Sequence, residues 1–199
     1  GLDYTPNETT SVSVQGKYAP SLRSKMDTVN YREETADSEN EFDRLTDSET
    51  VQDNWDVDLS GKKDWASGLH LDFSVNKSHN TRDNSNLYTQ TILNSIDPGF
   101  GGYPLYEQLS NDRINDQFEA KVDFSMGADE TGKFEWGLSS RSRKIDQDQY
   151  TEMDSTSTGW VDNTNLENHF IFSDEVFAGF VTYAKSYGVF SYQAGLRVE

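Results

Sequence analysis

The sequence predicts an all-β chain, an antiparallel up-and-down meander of about 7–8 strands, and three observations predict it. Apolar and polar residues alternate with a period of two in several separate windows. The connections between those windows alternate in length, and no window carries the 3.6-residue period of a helix. The chain has 199 residues, of which 33% are hydrophobic. That share lies well below the ~45–50% of an ordinary globular chain, so a large enclosed core is not expected. Aromatic residues are abundant all the same, with 11 Phe, 10 Tyr and 4 Trp against only 4 Pro. The expectation is a single unit over residues 1–199, folded with one wet face.

The clearest strand is Leu69, Leu71, Phe73 and Val75 alternating with His70, Asp72, Ser74 and Asn76. Trp55, Val57 and Leu59 alternate with Asp56, Asp58 and Ser60, and Phe118, Ala120, Val122, Phe124 and Met126 alternate with Glu119, Lys121, Asp123 and Ser125. Phe190, Tyr192, Ala194, Leu196 and Val198 repeat the pattern at the end of the chain, and Val12, Val14, Tyr18 and Phe134, Trp136, Leu138 are weaker copies. The stretch from Phe170 to Tyr187 is β-rich but apolar on both faces in places.

Short connections with turn chemistry fall at Pro6-Asn7-Glu8, between Gly61 and Gly68, between Gly127 and Gly132, and at Tyr187-Gly188. Between those hairpins lie long polar stretches at about 21–50, 79–114 and 146–168, read as loops. In a meander this order puts every short turn at one end of the sheet and every long loop at the other, the layout of a segment of an outer-membrane β-barrel. The apolar stripe of about 10 residues per strand matches a tilted spanning strand. Trp55 and Trp65 fall where two aromatic girdles would lie, and Lys63, on the Trp55 face, needs an interfacial position. Periodicity alone also permits a secreted soluble β-sandwich in which two sheets bury their apolar faces, with exposed aromatics that bind carbohydrate. Loop alternation favours the barrel.

A formal charge of -18 repels phosphate backbones and argues against nucleic acid as a partner. With no Cys there is no disulfide framework and no thiolate chemistry, and His70, His79 and His169 lack metal-motif spacing. No catalytic constellation and no cofactor are read from the chain, and an enzyme is not expected.

Gly1-Leu2-Asp3-Tyr4, the Lys121-Val122-Asp123-Phe124 strand with Gly132-Lys133-Phe134-Glu135-Trp136-Gly137, and above all Phe172-Ser173-Asp174-Glu175-Val176-Phe177-Ala178-Gly179-Phe180 with Ser191-Tyr192-Gln193-Ala194-Gly195-Leu196-Arg197-Val198-Glu199 resemble the TonB-dependent receptors, the outer-membrane β-barrel family of Bacteroidetes type. The resemblance covers nearly the whole chain and is most specific over the last 27 residues. It implies an internal barrel fragment of a longer receptor in the bacterial outer membrane, with a plug domain, remaining strands and a TonB-type energy coupler as partners. It also implies import of a large ligand such as a siderophore, cofactor or glycan. Standing alone, the open sheet is expected to curl on itself or to pair with a second copy, since it leaves two edges and an apolar face uncovered.

Candidate sites are weighed against plainer readings. The acidic groups Asp37, Glu39, Glu41, Asp43, Asp47, Glu49 and Asp146, Asp148, Glu152, Asp154 offer oxygens to calcium, but no EF-hand loop is present and a solvated acidic surface is the expectation. Asp56 with Asp58, or Glu119 with Asp123, have the spacing of a glycosidase pair, as do any residues two apart on a strand. Phe100, Tyr103 and Tyr106, in a Gly- and Pro-punctuated loop, are the candidate ligand-binding aromatics, with packing among themselves as the plainer reading. Arg141, Arg143 and Lys144 form the only basic cluster visible along the chain, expected to pair with the acidic loops.

Overall fold

In the computed structural model, described for residues 1–34, 39–95, 106–127, 132–155 and 159–199, the chain forms one antiparallel ten-stranded sheet, with no helix among the described residues. The strands are β1 (Leu2–Asn7), β2 (Thr10–Tyr18), β3 (Ser21–Glu34), β4 (Glu39–Asp64), β5 (Leu69–Ser95), β6 (Tyr106–Gly127), β7 (Gly132–Asp154), β8 (Val161–Asp162), β9 (Asn168–Tyr187) and β10 (Phe190–Val198). The sheet runs β1-β2-β4-β5-β6-β7-β9-β10, a meander of eight neighbours, with β3 on β4 and β8 on β7. β2 and β3 are nearly one strand, and between them Ala19 N–H still gives to the Asn54 carbonyl at 2.8 Å. Both pair with β4 in an unbroken register, Tyr18 opposite Trp55 and Ser21 opposite Gln52. Only Pro20, which has no N–H to give, interrupts the ladder, and it does so on an edge where that omission is cheap.

The short connections gather at one end of the sheet and the hairpin tips at the other, as the alternation of lengths predicts. Gly68 (φ 81°) and Gly188 (φ 59°) close two of the short turns in the left-handed region that glycine enters without steric penalty. One boundary differs from the expectation. β4 runs through Gly61 to Asp64, so the turn there begins only at Trp65, whose carbonyl accepts from Gly68 N–H at 2.9 Å.

The larger difference concerns the stretches read as loops. Most of 21–50, 79–114 and 146–168 is strand, and β4, β5, β6 and β7 run to 26, 27, 22 and 23 residues. A spanning strand needs only about 9–11. These hairpins therefore stand far beyond the apolar stripe. They are mostly polar on both faces, with apolar side chains such as Phe42 and Tyr31 isolated among them, so the period-two signal that marks a half-buried strand disappears while the backbone ladder continues. Cross-strand pairs replace the apolar face: Ser48 donates to Asn86 and Thr50 to Asn84, each at 2.7 Å.

Register decides which residues share a face, because directly paired residues point the same way. Val12 faces Gly61, which faces Phe73, then Val122, Leu138, Gly179 and Val198 in turn. Every stripe found in the sequence thus lies on one face of one sheet, forming a continuous apolar belt, while Asp58, Asn76, Glu119, Arg141 and Arg197 share the opposite face. No second layer covers the belt within the described residues. Leu138, Phe177 and Val198 are 66%, 67% and 64% exposed. Among the described residues the chain therefore forms no sandwich with a second sheet of its own, and the sheet does not curl over its own stripe. Among the described residues the buried ones, Asn40, Phe42, Gly132, Gly137, Thr151 and Ala178, are scattered, with no central core to join them.

The belt also slants. The row through Trp55 continues to His79, Asp116, Lys144 and Ser173. On β6 the belt begins at Phe118, two residues past that row, and on β9 at Phe177, four residues past it. On β5 and β7 it begins at Val75 and Leu138, four and six residues past the row, so on each of these strands the edge of the belt is displaced toward the short turns. A horizontal band across the tilted strands of a membrane barrel must cut obliquely across the rungs in this way.

If hydrocarbon covers this face, charge at its centre is costly and charge on the other face is not. Val122→Arg, mid-belt on β6, should destabilise the intact barrel in lipid vesicles by about 2–4 kcal/mol, and Ser125→Arg on the opposite face by far less. Equilibrium unfolding measures both, and equal losses would contradict the assignment of faces.

Candidate functional site

Two rims frame the belt. At the tip-side rim Tyr18 lies opposite Trp55, and Trp55 stacks on His79 with centroids 5.6 Å apart. At the turn-side rim Phe124 stacks on Trp136 at 5.3 Å, and Tyr192 meets Tyr183 and Tyr187 at 6.2 and 6.3 Å. Ten residues from Trp55 to Trp65 rise about 33 Å along a strand, about 25 Å in height at the ~40° tilt of barrel strands, matching the ~25 Å apolar band of such barrels. Trp65 itself sits in the turn rather than on the strand, marking the lower boundary. Lys63 reaches Thr10 with its ammonium at 2.6 Å, at the level where charge can meet water.

Beyond the tip-side rim the two faces of the hairpin wall carry opposite charge. On the belt side stand Asp47, Glu49, Asp53, Asp83, Asp112, Asp146 and Asp148. Asp83, Asp112 and Asp148 lie directly opposite one another on three adjacent strands. Partial burial and the charges of Asp83 and Asp148 hold the Asp112 carboxyl above its ordinary range. On the polar side, successive rows across β4, β5, β6 and β7 read Thr50, Asn84, Asn111, Gln149; then Gln52, Arg82, Arg113, Gln147; then Asn54, Asn80, Asn115, Ile145. Asn80 hydrogen-bonds Asn54 across this wall. A polar groove of about 360 Å³ lies over β3, β4 and β5 on this side, bordered by Arg23, Lys25, Gln52, Arg82 and Asn84. This wall, amide-rich and above the belt, is the candidate site. It would line the mouth of a barrel.

The sequence-derived candidates are distributed unevenly around it. Phe100 and Tyr103 lie outside the described residues. Tyr106 opens β6 on the belt-side parity, away from the groove, where its ring meets Trp160 at 6.4 Å. Of the acidic groups, Asp37 lies outside the described residues. Glu39 pairs with Arg32 at 2.7 Å, and Asn30 donates to Glu41 and Asp43. Asp146 and Asp148 do converge, with His169 Nε2 at 2.9 and 3.6 Å. Two carboxylates and one ring nitrogen fall short of the six to eight oxygens calcium prefers. Asp58 accepts from Asn76 at 2.6 Å, Glu119 from Gln117 at 3.0 Å, and Asp123 pairs with Lys121 at 2.6 Å, all on the polar face.

The basic cluster divides. Arg141 and Arg143 share Asp174 of the barrel wall at 3.6 and 3.0 Å, and Lys144, on the other face, reaches Asp146 at 3.6 Å. Only Lys144 thus meets one of the acidic groups named for it; the arginines pair within the strands because the neighbouring segment is itself a strand. Nor is this the only basic cluster. Arg23, Arg82 and Arg113 stand far apart in the sequence and gather on one face only through the hairpin register.

The model of the outer membrane protein β-barrel family matches residues 63–199, more than half of the chain. The chain belongs to that family. Its strands are therefore part of an outer-membrane barrel, the belt faces lipid, and the polar face lines the interior. No curated protein matches the chain. Among solved structures it is similar to the ferric citrate transporter FecA in the unliganded form, with 11% identity over 98% of this chain and 25% of that chain and a TM-score of 0.49. It is also similar to BauA, the ferric preacinetobactin receptor from Acinetobacter baumannii, with 10% identity over 98% of this chain and 37% of that chain and a TM-score of 0.36. The chain spans a quarter of the first structure and 37% of the second.

The ion pair above the outer rim gives a pH dependence. The Asp146 hydrogen bond and the Asp148 charge hold His169 above its usual 6.5, and the His169 hydrogen bond holds Asp146 below its usual 3.8. The His169 contribution is complete below about 6.5 and is lost as pH rises through the raised folded value; that of Asp146 is lost as pH falls through its lowered value. Unfolding followed from pH 5 to 9 should show the barrel losing this increment as the solution turns alkaline, and His169→Gln should remove that slope. A variant that tracks the parent across the range would contradict the pairing.

Proposed function

We propose that the chain is part of the membrane barrel of a TonB-dependent receptor of Bacteroidetes type, which imports a large ligand such as a siderophore, cofactor or glycan and catalyses nothing. The observation that carries this reading is the slanted lipid belt surmounted on one side only by long paired hairpins with an amide-rich inner wall. Such hairpins extend the barrel into a deep vestibule, a shape suited to holding a large solute before passage and unnecessary in a barrel that merely spans. The sequence resemblance of the last strands supports the family within which energised import is the rule.

On this reading β1 and β10, each paired on one side only among the described residues, mark where the barrel wall continues. An unpaired edge in hydrocarbon leaves its N–H and C=O groups unsatisfied, at several kcal/mol each, so the reading requires both edges to be paired in the closed barrel; the plug comes with the receptor reading itself. The coupler engages the plug from the short-turn side.

Growth of cells on scarce iron-siderophore, corrinoid or oligosaccharide sources tests the proposal. The intact protein should confer growth on at least one such source, and disabling the energy coupler should abolish that growth. Uptake that persists without the coupler, or a protein that supports growth on none of these classes, would contradict it.

A further inference from the structure

The acidic chain keeps its arginines neutralised with one exception. Of its eight arginines, Arg32, Arg44, Arg141, Arg143 and Arg197 each meet a carboxylate. Arg23, Arg82 and Arg113 meet none among the described residues, and these three stand together. Arg82 lies directly opposite Arg113 across β5 and β6, an arrangement of like charges that disfavours the sheet. Arg23 is opposite Thr50, which is opposite Asn84, one rung from Arg82 on the same face, and Lys25 follows it along β3.

The surroundings sharpen the point. On this face, the rungs from Ser48 to Asn54 carry no carboxylate on β3, β4, β5, β6 or β7; the nearest are Asp27 and Glu107, the latter paired with Arg44, in the rung on one side and Asp56 on the other. The same rungs carry carboxylates on the reverse face. A net charge of -18 has thus been sorted so that one patch of the vestibule wall is positive. The side chains between the cations, Gln52, Thr50 and Asn84, are neutral hydrogen-bonding groups, and a groove of about 360 Å³ lies between Arg23, Lys25 and Arg82, with Arg113 on the next strand beside Arg82.

We propose that Arg23, Arg82 and Arg113 form an anion-binding site on the inner wall of the vestibule, specific for a soluble small molecule bearing two or more carboxylate or phosphate groups. This deepens the import reading by naming a ligand class for the same wall. Guanidinium groups present paired donors that match the two oxygens of a carboxylate or phosphate, and three such forks reward an anion with more than one group. A bound polyanion also relieves the repulsion between Arg82 and Arg113. The outer acidic face turns anions away from the lipid-side surface, leaving this wall as their landing place.

Calorimetric titration of the intact purified protein in detergent with inorganic pyrophosphate tests the site. The expected result is saturable binding, weakened about tenfold or more by Arg82→Gln and by Arg113→Gln, and unaffected by Arg141→Gln, whose arginine already shares Asp174. Because the substituted arginines repel each other, the glutamine variants should resist unfolding as well as or better than the parent while binding less. A merely structural role would lower stability instead. Absence of saturable binding, as when carboxylates elsewhere in the protein already occupy the arginines, overturns the proposal, and so does an equal loss in Arg141→Gln. Binding is read at equilibrium without energy coupling, so a failed import assay leaves this result standing, and a failure here leaves import standing.

Discussion

Everything in this sheet follows from the requirement that every backbone polar group be paired inside hydrocarbon while every second side chain touches it. Bilayer lipid offers the backbone no hydrogen-bond partner, so the strands can neither fray nor break within the belt. Once pairing is fixed, the two-residue period assigns faces without freedom, and a slip of one residue would turn Val122 and Phe124 inward and Asp123 and Lys121 into lipid. That penalty holds the register across strands whose sheet buries almost nothing of its own. The usual source of stability, a packed interior, is replaced by solvent on two sides: hydrocarbon on one and water on the other. Small residues let partners cross the belt closely. Gly61, for example, sits under the ring of Phe73, where a Cβ would approach ring carbons to within 2.7–2.8 Å.

The same constraint explains why the wall can rise so far beyond the membrane. Above the rim neither face is apolar, yet the ladder persists, because a strand already aligned by its spanning half extends at little entropic cost. What the extension presents is a two-sided polar surface on which side-chain chemistry is free to differ between faces. In the rungs from Thr50 to Asn54, carboxylates occupy one side and amides with arginines the other. The vestibule thereby acquires an electrostatic identity that the overall acidity of the chain conceals.

How much of this was legible follows from where a signal survives in one dimension. The belt strands were readable because Leu69 to Asn76 and Phe118 to Met126 alternate against a face that must be apolar. The short turns were readable from Gly68 and Gly188. The hairpin extensions were not, since Thr46 to Thr50 and Thr81 to Asn86 are polar on both sides and look like loop. The arginine patch was hidden for a further reason: Arg23, Arg82 and Arg113 are separated by 59 and 31 residues, and only the pairing of hairpins whose tips carry no alternation brings them together. The aromatics at Phe100 and Tyr103 drew notice because Gly and Pro surround them, a local cue that carries no information about the face to which they belong.

The central claim is that alternate residues of these strands contact lipid, and oxygen accessibility along one strand tests it most directly. The chain has no cysteine, so single cysteines placed from 116 to 126 on β6 can carry spin labels without interference. In the intact barrel reconstituted in lipid, collision with oxygen should peak at 118, 120, 122, 124 and 126 and fall at the positions between. A flat profile, or peaks at the odd positions, would contradict the account.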